Sequence, residues 1–266
     1  MREKRIVVIT GCSSGIGREC VHYFESMGDI VIGLARHNED CDNFYCCDIS
    51  SEENVKKVMD MIGKRYGRID VLVNNAGYGL SGAVELVPNF QIEKLYDVNI
   101  LGSINCYKYA MPYMKSGSKI LNIASACALF PLPYRGLYCS SKAGLHMLSL
   151  SLAMECAPLG IKVISICPGD IKTNFTRNRV KIYETNERYG DRIENAARVI
   201  DSREDRRMPV YSVARKLYRI SVKIDPKPYY IIGFKYKLLH FAMRFLPAST
   251  LLSFTEKHFG GHKKVD

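Results

Sequence analysis

The sequence predicts an α/β fold: a doubly wound parallel sheet between two helical layers, in a three-layer αβα arrangement. Short apolar segments rich in β-branched residues alternate with longer segments whose apolar residues recur every three or four positions. The short segments show no polar alternation, which is typical of parallel strands covered on both faces. With 266 residues, 47% of them apolar, the chain can bury one core, so we expect a single domain spanning residues 1–266.

Each strand is predicted from a compact apolar run, and each helix from the amphipathic segment that follows. The first run, 5–10, ends at a glycine loop, and the helix 15–27 after it keeps its polar residues on one side. Further helices are predicted at 52–66, 90–114 and 138–157. The other strands are predicted at 30–35, 44–49, 71–75, 119–124, 162–167 and 229–234.

The chain changes character after the sixth strand. Residues 177–207 are charged and nearly free of aliphatic clusters, and a long connection beside the carboxyl end of a strand is typical of a functional lid. We therefore expect a mobile substrate-binding flap within residues 175–228. Residues 229–266 are aromatic and basic and are expected to form a C-terminal strand and helical extension.

Composition limits the classes of partner. Lys and Arg number 38 against 27 Asp and Glu, a net charge of +11 that favours anionic ligands or surfaces. No groove-reading motif accompanies this charge, so no nucleic-acid partner is expected. No apolar run reaches about 18 residues, so no membrane-spanning helix is predicted. The ten cysteines show no C-x-x-C pairing, which favours reduced thiols in a cytoplasmic setting, and no metal site is predicted.

A glycine-rich loop, TGCSSGIG from Thr10, separates the first strand from the first helix. Glycines let the backbone approach a pyrophosphate, whose charge is met by free N–H groups at the positive end of the helix. A ligand-free turn is the alternative, but the strand, loop and helix context favours a Rossmann-type dinucleotide site. The predicted cofactor contacts here are Gly11, Cys12, Ser13, Ser14, Gly15, Ile16 and Gly17.

The G-x-x-x-G-x-G spacing of this loop resembles the cofactor loop of the short-chain dehydrogenase/reductase family. Further motifs stand in the family's order, and they extend the resemblance over roughly residues 5–175. These motifs are Asn74-Asn75-Ala76-Gly77, Asn99, Ser125, the Y-x-x-x-K pair Tyr138 and Lys142, and Pro168-Gly169 followed by Thr173.

The resemblance implies hydride exchange between a nicotinamide cofactor and a carbinol or carbonyl carbon. It makes Tyr138 the residue that passes the proton to or from the substrate oxygen, while Lys142 holds the nicotinamide ribose. Ser125 would hydrogen-bond the substrate oxygen, and Asn99 would anchor a water for proton relay. A surface Tyr and Lys pair, a strand-end Ser and a helix-capping Asn are the structural alternatives.

The spacing of Tyr138 and Lys142 has a chemical consequence of its own. Residues four apart share one face of a helix, so the ammonium should lie near the phenol. A free phenol has a pKa of about 10 and is a poor base at neutral pH. We expect the lysine and an oxidised nicotinamide to lower this pKa by favouring the phenolate.

The end of the second strand bears on the cofactor. No acid stands at position 35 to hold an NAD ribose, and Arg36 follows, whose guanidinium suits a 2′-phosphate. We predict NADP(H), with Arg36 and Ser14 around the phosphate; a solvated arginine is the alternative. Asp48 is either an adenine contact or a cap of the next helix. The other contacts that the resemblance implies are Ile49, Asn75, Ala76, Gly77, Tyr138, Lys142, Pro168, Gly169, Ile171 and Thr173.

The wall that leads to Tyr138 is predicted to be apolar. Residues 129–134 (LFPLPY) combine two prolines with bulky apolar side chains, which favours a lipophilic substrate. By analogy with NADP(H)-dependent hydroxysteroid and retinol dehydrogenases, we expect a secondary alcohol or ketone on a hydroxysteroid or bile-acid-like sterol. The alternatives are a small-carbonyl or 3-oxoacyl reductase and, in another class, a non-enzymatic NADP(H)-sensing or scaffold protein.

Two surfaces are predicted to meet partners. The resemblance implies a homo-oligomer, a dimer or tetramer, through the helices at 90–114 and 138–157. Residues 229–259 place basic side chains among Phe, Leu and Met, which would suit weak peripheral contact with a membrane. The alternative, which we favour for this segment, is a helix that covers the substrate pocket or contacts another subunit.

Overall fold

The computed structural model describes residues 3–37, 43–183, 187–202 and 207–260. Seven parallel strands form its central sheet, and four two-residue strands lie outside it. The sheet strands are β1 (Ile6–Thr10), β2 (Ile30–Ala35), β3 (Phe44–Cys46), β4 (Val71–Asn74), β6 (Lys119–Ile123), β7 (Lys162–Pro168) and β11 (Tyr229–Ile232). The short strands are β5 (Leu80–Ser81), β8 (Ile171–Lys172), β9 (Val180–Lys181) and β10 (Met208–Pro209).

The strand order is β11-β7-β6-β4-β1-β2-β3. From β1 in the interior of the sheet the chain runs outward to β3, crosses back to β4 and then continues to the opposite edge. This reversal between β1 and β4 is a topological switch point, and the carboxyl ends of the two strands border the crevice where such folds bind ligands.

Helices cover both faces of the sheet, and this confirms the predicted doubly wound, three-layer fold. On one face Val7 and Ile9 pack with α1 (Gly15–Ser26) and α7 (Val210–Ser221), and on the other Ile6 and Val8 pack with α2 (Glu52–Tyr66), α4 (Gly102–Ala110) and α5 (Gly136–Glu155). Because β1 is buried on both sides, it shows no polar alternation. The helices are α1 (Gly15–Ser26), α2 (Glu52–Tyr66), α3 (Asn89–Tyr96), α4 (Gly102–Ala110), α5 (Gly136–Glu155), α6 (Arg192–Asp201), α7 (Val210–Ser221), α8 (Phe234–Ala242) and α9 (Ala248–Phe259).

Helix α2 shows how local sequence sets an element's bounds. Ser51 caps its first turn by accepting the N–H of Asn54 at 3.3 Å, and Gly67 ends it in a left-handed conformation with φ of 71°. Glu52 and Glu53 occupy the first turn and basic residues the last, which matches the helix dipole. These signals explain why the predicted and observed bounds agree.

The helix predicted at 90–114 is interrupted. Between α3 and α4 the segment Asp97–Leu101 adopts a π-helical turn that contains Asn99. The side chain of Asn99 hydrogen-bonds the backbone of Tyr78, and such π-turns recur at functional sites. A tertiary contact therefore sets this break, which the hydrophobic period alone does not show.

The range predicted to be a flap contains a core helix. Val213 and Leu217 of α7 are fully buried against α1, so this part belongs to the helical layer on the sheet. The sequence analysis did not assign a helix here. Residues 184–186 and 203–206 of the expected flap, and 261–266 of the expected extension, lie outside the described residues.

The C-terminal region forms the expected strand and helices. β11 pairs with β7 at the sheet edge, and α8 and α9 follow it. Among the described helices, none is long and apolar enough to cross a membrane.

Candidate active site

A cavity of about 580 Å³ opens at the carboxyl ends of β1, β2, β4, β6 and β7. The fold gathers most of the predicted site residues on its wall. These are Gly11, Ser13, Ser14, Gly15, Ile16, Arg36, Asp48, Ile49, Asn75, Ala76, Gly77, Ser125, Tyr138, Lys142, Pro168, Gly169, Ile171 and Thr173. Across the described residues, no three His, Cys, Asp or Glu side chains cluster as a metal site would require.

The glycine loop is tied to the end of β4. The hydroxyl of Thr10 accepts the N–H groups of Asn75 and Ala76, each at 3.0 Å, and the Asn75 amide donates to the carbonyls of Thr10 and Gly11. Gly11 has φ of +65°, and a Cβ there would stand 2.7 Å from the Cα of Ala76. Only glycine fits this close crossing of two backbones.

The N-terminus of α1 lies on the cavity wall without a cap. Ser14 is its N-cap residue, but the Ser14 side chain makes no capping hydrogen bond, and the first turn holds no acid. The N–H groups of the first turn and the positive end of the helix dipole favour an anionic group in the cavity.

Two predicted contacts of this loop do not line the cavity. Cys12 is fully buried on the far side, where its Sγ stands 2.8 Å from the position of a Cβ at Gly33. A Cβ at Gly17 would stand 2.2 Å from the carbonyl oxygen of Gly11. Cys12 therefore packs against β2, and Gly17 allows α1 to approach the loop closely. Both residues support the loop from the side away from the cavity.

Arg36 and Asp48 lie together on the wall at the ends of β2 and β3. Burial tends to raise the pKa of Asp48, but two hydrogen bonds from Ser50 and the charges of Arg36 and Lys94 bring it below its ordinary value. The carboxylate is thus ionised and held by Ser50. Asp48 is not the helix cap, because Ser51 fills that position.

Tyr138 lies in the first turn of α5 and is buried in the cavity wall. Burial and then the nearby Cys127 raise the pKa of its phenol, while the Arg135 guanidinium and a hydrogen bond with Ser125 oppose the rise. Among the protein groups desolvation outweighs the neighbouring charge, and Lys142 is not among the groups that lower this pKa. The lowering expected from an oxidised nicotinamide stays a prediction. The phenol is protonated at neutral pH.

Lys142 lies one turn after Tyr138, and its Nζ donates to the carbonyl of Ile123 at 2.9 Å. Burial lowers the pKa of this lysine to about 8. The ammonium also stands 3.2 Å from the position of a Cβ at Gly77, so it lies where the loops after β4 and β6 meet. The cation stacked on the phenol ring is Arg135, whose Cζ is 4.5 Å from the ring centroid.

Asn99 is fully buried and lies behind the cavity wall. Its Nδ2 donates to the Tyr78 carbonyl at 3.1 Å and to the Ser141 hydroxyl at 3.0 Å, while its Oδ1 accepts the Tyr78 N–H at 3.0 Å. The residue lies in the π-helical turn between α3 and α4 and is not a helix cap. It fixes the loop after β4 against α5, the helix that carries Tyr138.

The loop after β7 is held by the C-terminal region. Gly169 donates its N–H to the Ile232 carbonyl at 2.9 Å, and a Cβ on it would stand 1.9 Å from the ring of Tyr236. The Tyr236 hydroxyl donates to the Asp170 carboxylate. Thr173, across from Gly15, accepts the N–H of Phe175 at 3.3 Å. α8 therefore positions the loop beside Tyr138.

The opposite end of the cavity combines side chains of the predicted apolar wall with others that were not predicted. Phe130 and Leu132 come from the predicted apolar wall, and the Phe175 ring lies 5.9 Å from that of Tyr138. One of these side chains could have been predicted from the sequence, because Arg135 stands three residues before Tyr138. The unpredicted lining residues at this end include Cys127, Arg135, Phe175, Arg179, Arg207, Tyr236 and Phe259.

These residues fit a nicotinamide dinucleotide. The uncapped α1 terminus suits the pyrophosphate, the crossing at Gly11 leaves room for it, and Lys142 beside Gly77 suits ribose hydroxyls. Arg36 and Asp48 lie at the end where an adenosine would sit.

A family model described as short chain dehydrogenase matches residues 5–184. A 3-ketodihydrosphingosine reductase of Bacteroides thetaiotaomicron is 34% identical over 209 residues, which are 76% of this chain and 78% of that protein. An NADPH-dependent 3-dehydrocapnine reductase of Ornithobacterium rhinotracheale is 29% identical over 91% of this chain and 93% of its own length.

A crystal structure of a short-chain dehydrogenase from Streptomyces avermitilis superposes with a TM-score of 0.81 at 26% identity, covering 96% of both chains. The part of this chain that superposes on that structure extends into the C-terminal region, beyond the residues that the family model matches. The family match, the relatives and the shared fold agree with the geometry of the cavity. The chain belongs to the short-chain dehydrogenase/reductase family, as an oxidoreductase of alcohol- or ketone-type substrates.

Proposed function

We propose that this protein is an NADP(H)-dependent oxidoreductase that interconverts a ketone and a secondary alcohol on a lipophilic substrate. The observation that carries the proposal is a protonated, buried Tyr138 phenol, hydrogen-bonded with Ser125, on the wall between a dinucleotide-type loop and an apolar pocket. A proton donor placed at that junction is what carbonyl reduction requires.

In the proposed mechanism Ser125 and Tyr138 hold the substrate oxygen between their hydroxyl groups. Tyr138 donates its phenolic proton to that oxygen during reduction and takes it back during oxidation. Lys142 would hold the nicotinamide ribose, and the bound cofactor supplies or accepts the hydride. Asn99 positions α5 through Ser141 and the loop through Tyr78; a relay water at Asn99 stays a prediction.

The raised pKa of the phenol bears on how the two rates depend on pH. It keeps Tyr138 protonated at neutral pH, the state that a general acid needs for reduction. Oxidation needs the phenolate, so the rate of oxidation should rise as pH increases above neutral. The direction of net reaction is set by the concentrations of substrates and cofactor.

NADP(H) is the proposed cofactor because Arg36 lies on the wall at the adenosine end and no acid precedes it. A guanidinium fork pairs with phosphate oxygens, whereas an NAD site places a carboxylate on the ribose. The name of the Ornithobacterium relative, which specifies NADPH, supports the same choice.

For the substrate we propose a ketone with a long apolar part. The names of both relatives describe reduction at an oxidised position 3 of a larger substrate. Phe130, Leu132 and Phe259 supply an apolar wall for such a substrate. The hydroxysteroid expected from the sequence and the small-carbonyl or 3-oxoacyl alternative both stay predictions.

A single panel tests this proposal. The purified protein is mixed with NADPH or NADH and with 3-ketodihydrosphingosine, a 3-oxosteroid, a 3-oxoacyl thioester and a short ketone, and cofactor oxidation is followed by absorbance. We expect turnover with NADPH and the long-chain ketone, and none in Tyr138→Phe. Turnover of the short ketone at equal kcat/KM would refute the lipophilic substrate. Tight NADPH binding without turnover of any ketone would favour the sensor or scaffold alternative.

We also propose a homo-oligomer that uses α4 and α5. Met147 and Met154 project from α5 with 62% and 73% of their surface exposed, and an oligomer contact would cover them. Sedimentation should show a dimer or tetramer that Met154→Glu weakens; a monomer at micromolar concentration would refute this assignment.

A second proposed partner is the surface of an anionic membrane. Phe234 and Phe245 are 82% and 73% exposed, and Lys235, Lys237 and Arg244 stand among them, a combination typical of interfacial helices. Tyr236 and Phe259 of the same region line the pocket. Flotation with phosphatidylglycerol vesicles should carry the protein upward, and Phe234→Ser with Phe245→Ser should abolish this. The cytoplasmic location stays a prediction.

A further inference from the structure

Arg135 lies at the substrate end of the cavity. It precedes the first turn of α5 and its side chain lines the cavity, where the guanidinium stacks on the ring of Tyr138. Its Nε is buried, and no group among the described residues accepts a hydrogen bond from it. A buried charged donor without an acceptor is costly, unless a ligand supplies the acceptor.

The other cations at this end are already engaged. Arg179 donates to Asp201 at 2.9 Å and Arg207 donates to the Ile200 carbonyl at 3.0 Å. Asp170, the nearest acid in the loop after β7, accepts from the hydroxyl of Tyr236 and lies 3.4 Å from the Nζ of Lys235. The Nε of Arg179 also lacks an acceptor among the described residues, but Arg179 is ion-paired with Asp201, whereas no ion pair of Arg135 is found in the described part of the chain.

The charge of Arg135 and the pKa values of its neighbours affect one another. Although burial alone would lower the pKa of Arg135, the nearby thiol and phenol groups raise it, so the guanidinium stays charged. The pKa of Cys127 is lowered to about 6, first by a hydrogen bond with Cys139 and also by Arg135. The guanidinium of Arg135 thus favours an anionic neighbour, and the Asp170 carboxylate in turn helps to keep it charged.

We propose that Arg135 binds an anionic group of the substrate, a carboxylate, phosphate or sulfonate attached within a few bonds of the reacting carbonyl. The anionic group must lie close to the carbonyl, because Arg135 covers the ring of Tyr138 and the hydroxyl of Tyr138 protonates the carbonyl oxygen. The planar fork of a guanidinium matches two oxygens of such a group. The inference rests on the proposed function, and it adds the substrate class: an apolar chain, a ketone and an adjacent anion.

The test compares two ketones that differ only in charge, 4-oxodecanoate and its amide, in wild type and in Arg135→Met and Arg135→Lys. We expect the wild type to favour the carboxylate, and Arg135→Met to lower kcat/KM for it by about 10- to 100-fold more than for the amide. Arg135→Lys should fall between them. The control, Arg215→Met, changes an exposed arginine of α7 and should leave both values unchanged.

Equal losses for both ketones in Arg135→Met would overturn the inference, because Arg135 would then act only on the phenol. Equal kcat/KM for both in the wild type would overturn it as well. A binding measurement separates this result from failure of the proposed function. Calorimetry of decanoate against decanamide with the NADPH-loaded protein should show an Arg135-dependent preference for the carboxylate even if neither ketone turns over; no preference would refute the anion site.

Discussion

The two ends of the cavity are built differently. The nucleotide end consists of backbone: the loop from Gly11 to Gly17, the uncapped start of α1 and the end of β4. The substrate end consists of side chains from distant segments, such as Arg135, Phe175 and Tyr236. Backbone crossings constrain sequence tightly, whereas a pocket of side chains can change with each substituted residue. The family match over residues 5–184 covers the nucleotide end and, at the substrate end, Arg135 and Phe175 but not Tyr236.

The largest effect is expected at the junction of the two ends. Tyr138→Phe keeps the ring and its contact with Phe175 but removes the proton donor, so kcat should fall by about 10²- to 10⁴-fold. The dissociation constant of NADPH should change little, because the nucleotide end is untouched. Steady-state kinetics with fluorescence titration of NADPH checks both. A loss of NADPH binding instead would show that the two ends are not separable.

The buried lysine gives a stability effect that depends on pH. Lys142 has a pKa of about 8 in the fold against an ordinary value of 10.5, so between these values the unfolded chain holds a proton that the folded one has released. Stability therefore rises with pH across that window. Relative to Lys142→Met, the wild type should gain up to about 3 kcal/mol in the free energy of unfolding.

Urea unfolding at pH 7 and at intervals up to pH 10 measures this difference. Below pH 8 the free energy of unfolding should change with pH in the same way in the wild type and in Lys142→Met, because the lysine is charged in both the folded and the unfolded wild type. Parallel curves up to pH 10 would mean that the ammonium is not desolvated.

The nucleotide end alone is tested at Arg36. Arg36→Leu should weaken NADPH binding by about 10- to 100-fold through loss of charge-assisted hydrogen bonds to the 2′-phosphate. NADH binding should stay unchanged, as should KM for the ketone. Titration with both cofactors checks this, and an equal loss for NADPH and NADH would assign Arg36 to the ribose or the fold.

The smallest effect is expected at the substrate end. Phe175→Ala removes a ring 5.9 Å from that of Tyr138, a pair of a kind worth about 0.5–1.5 kcal/mol. KM for a long-chain ketone should rise by about 2- to 10-fold with NADPH affinity unchanged. Comparison with Phe90→Ala, an exposed ring outside the cavity, controls for general destabilisation.

Much of the architecture could be predicted because its signals are local. Apolar runs predict the strands, and Ser51 and Gly67 set the bounds of α2. The glycine loop is predicted because its residues lie within a few positions of one another, between β1 and α1. Helix α7 was not predicted although its apolar residues recur at helical spacing, because residues up to 228 were assigned to the flap. The π-turn at Asn99, by contrast, depends on the backbone of Tyr78, and here a distant segment supplied the deciding contact.

The sequence by itself determined the doubly wound sheet, the dinucleotide-type loop and the helical spacing of Tyr138 and Lys142, because periodicity and backbone conformation act over a few residues. Only the tertiary structure decided that Cys12 faces the core, that the phenol pKa rises and that Arg135 covers the ring. Burial and charge depend on which distant segments pack together, and these two quantities set the chemistry of the site.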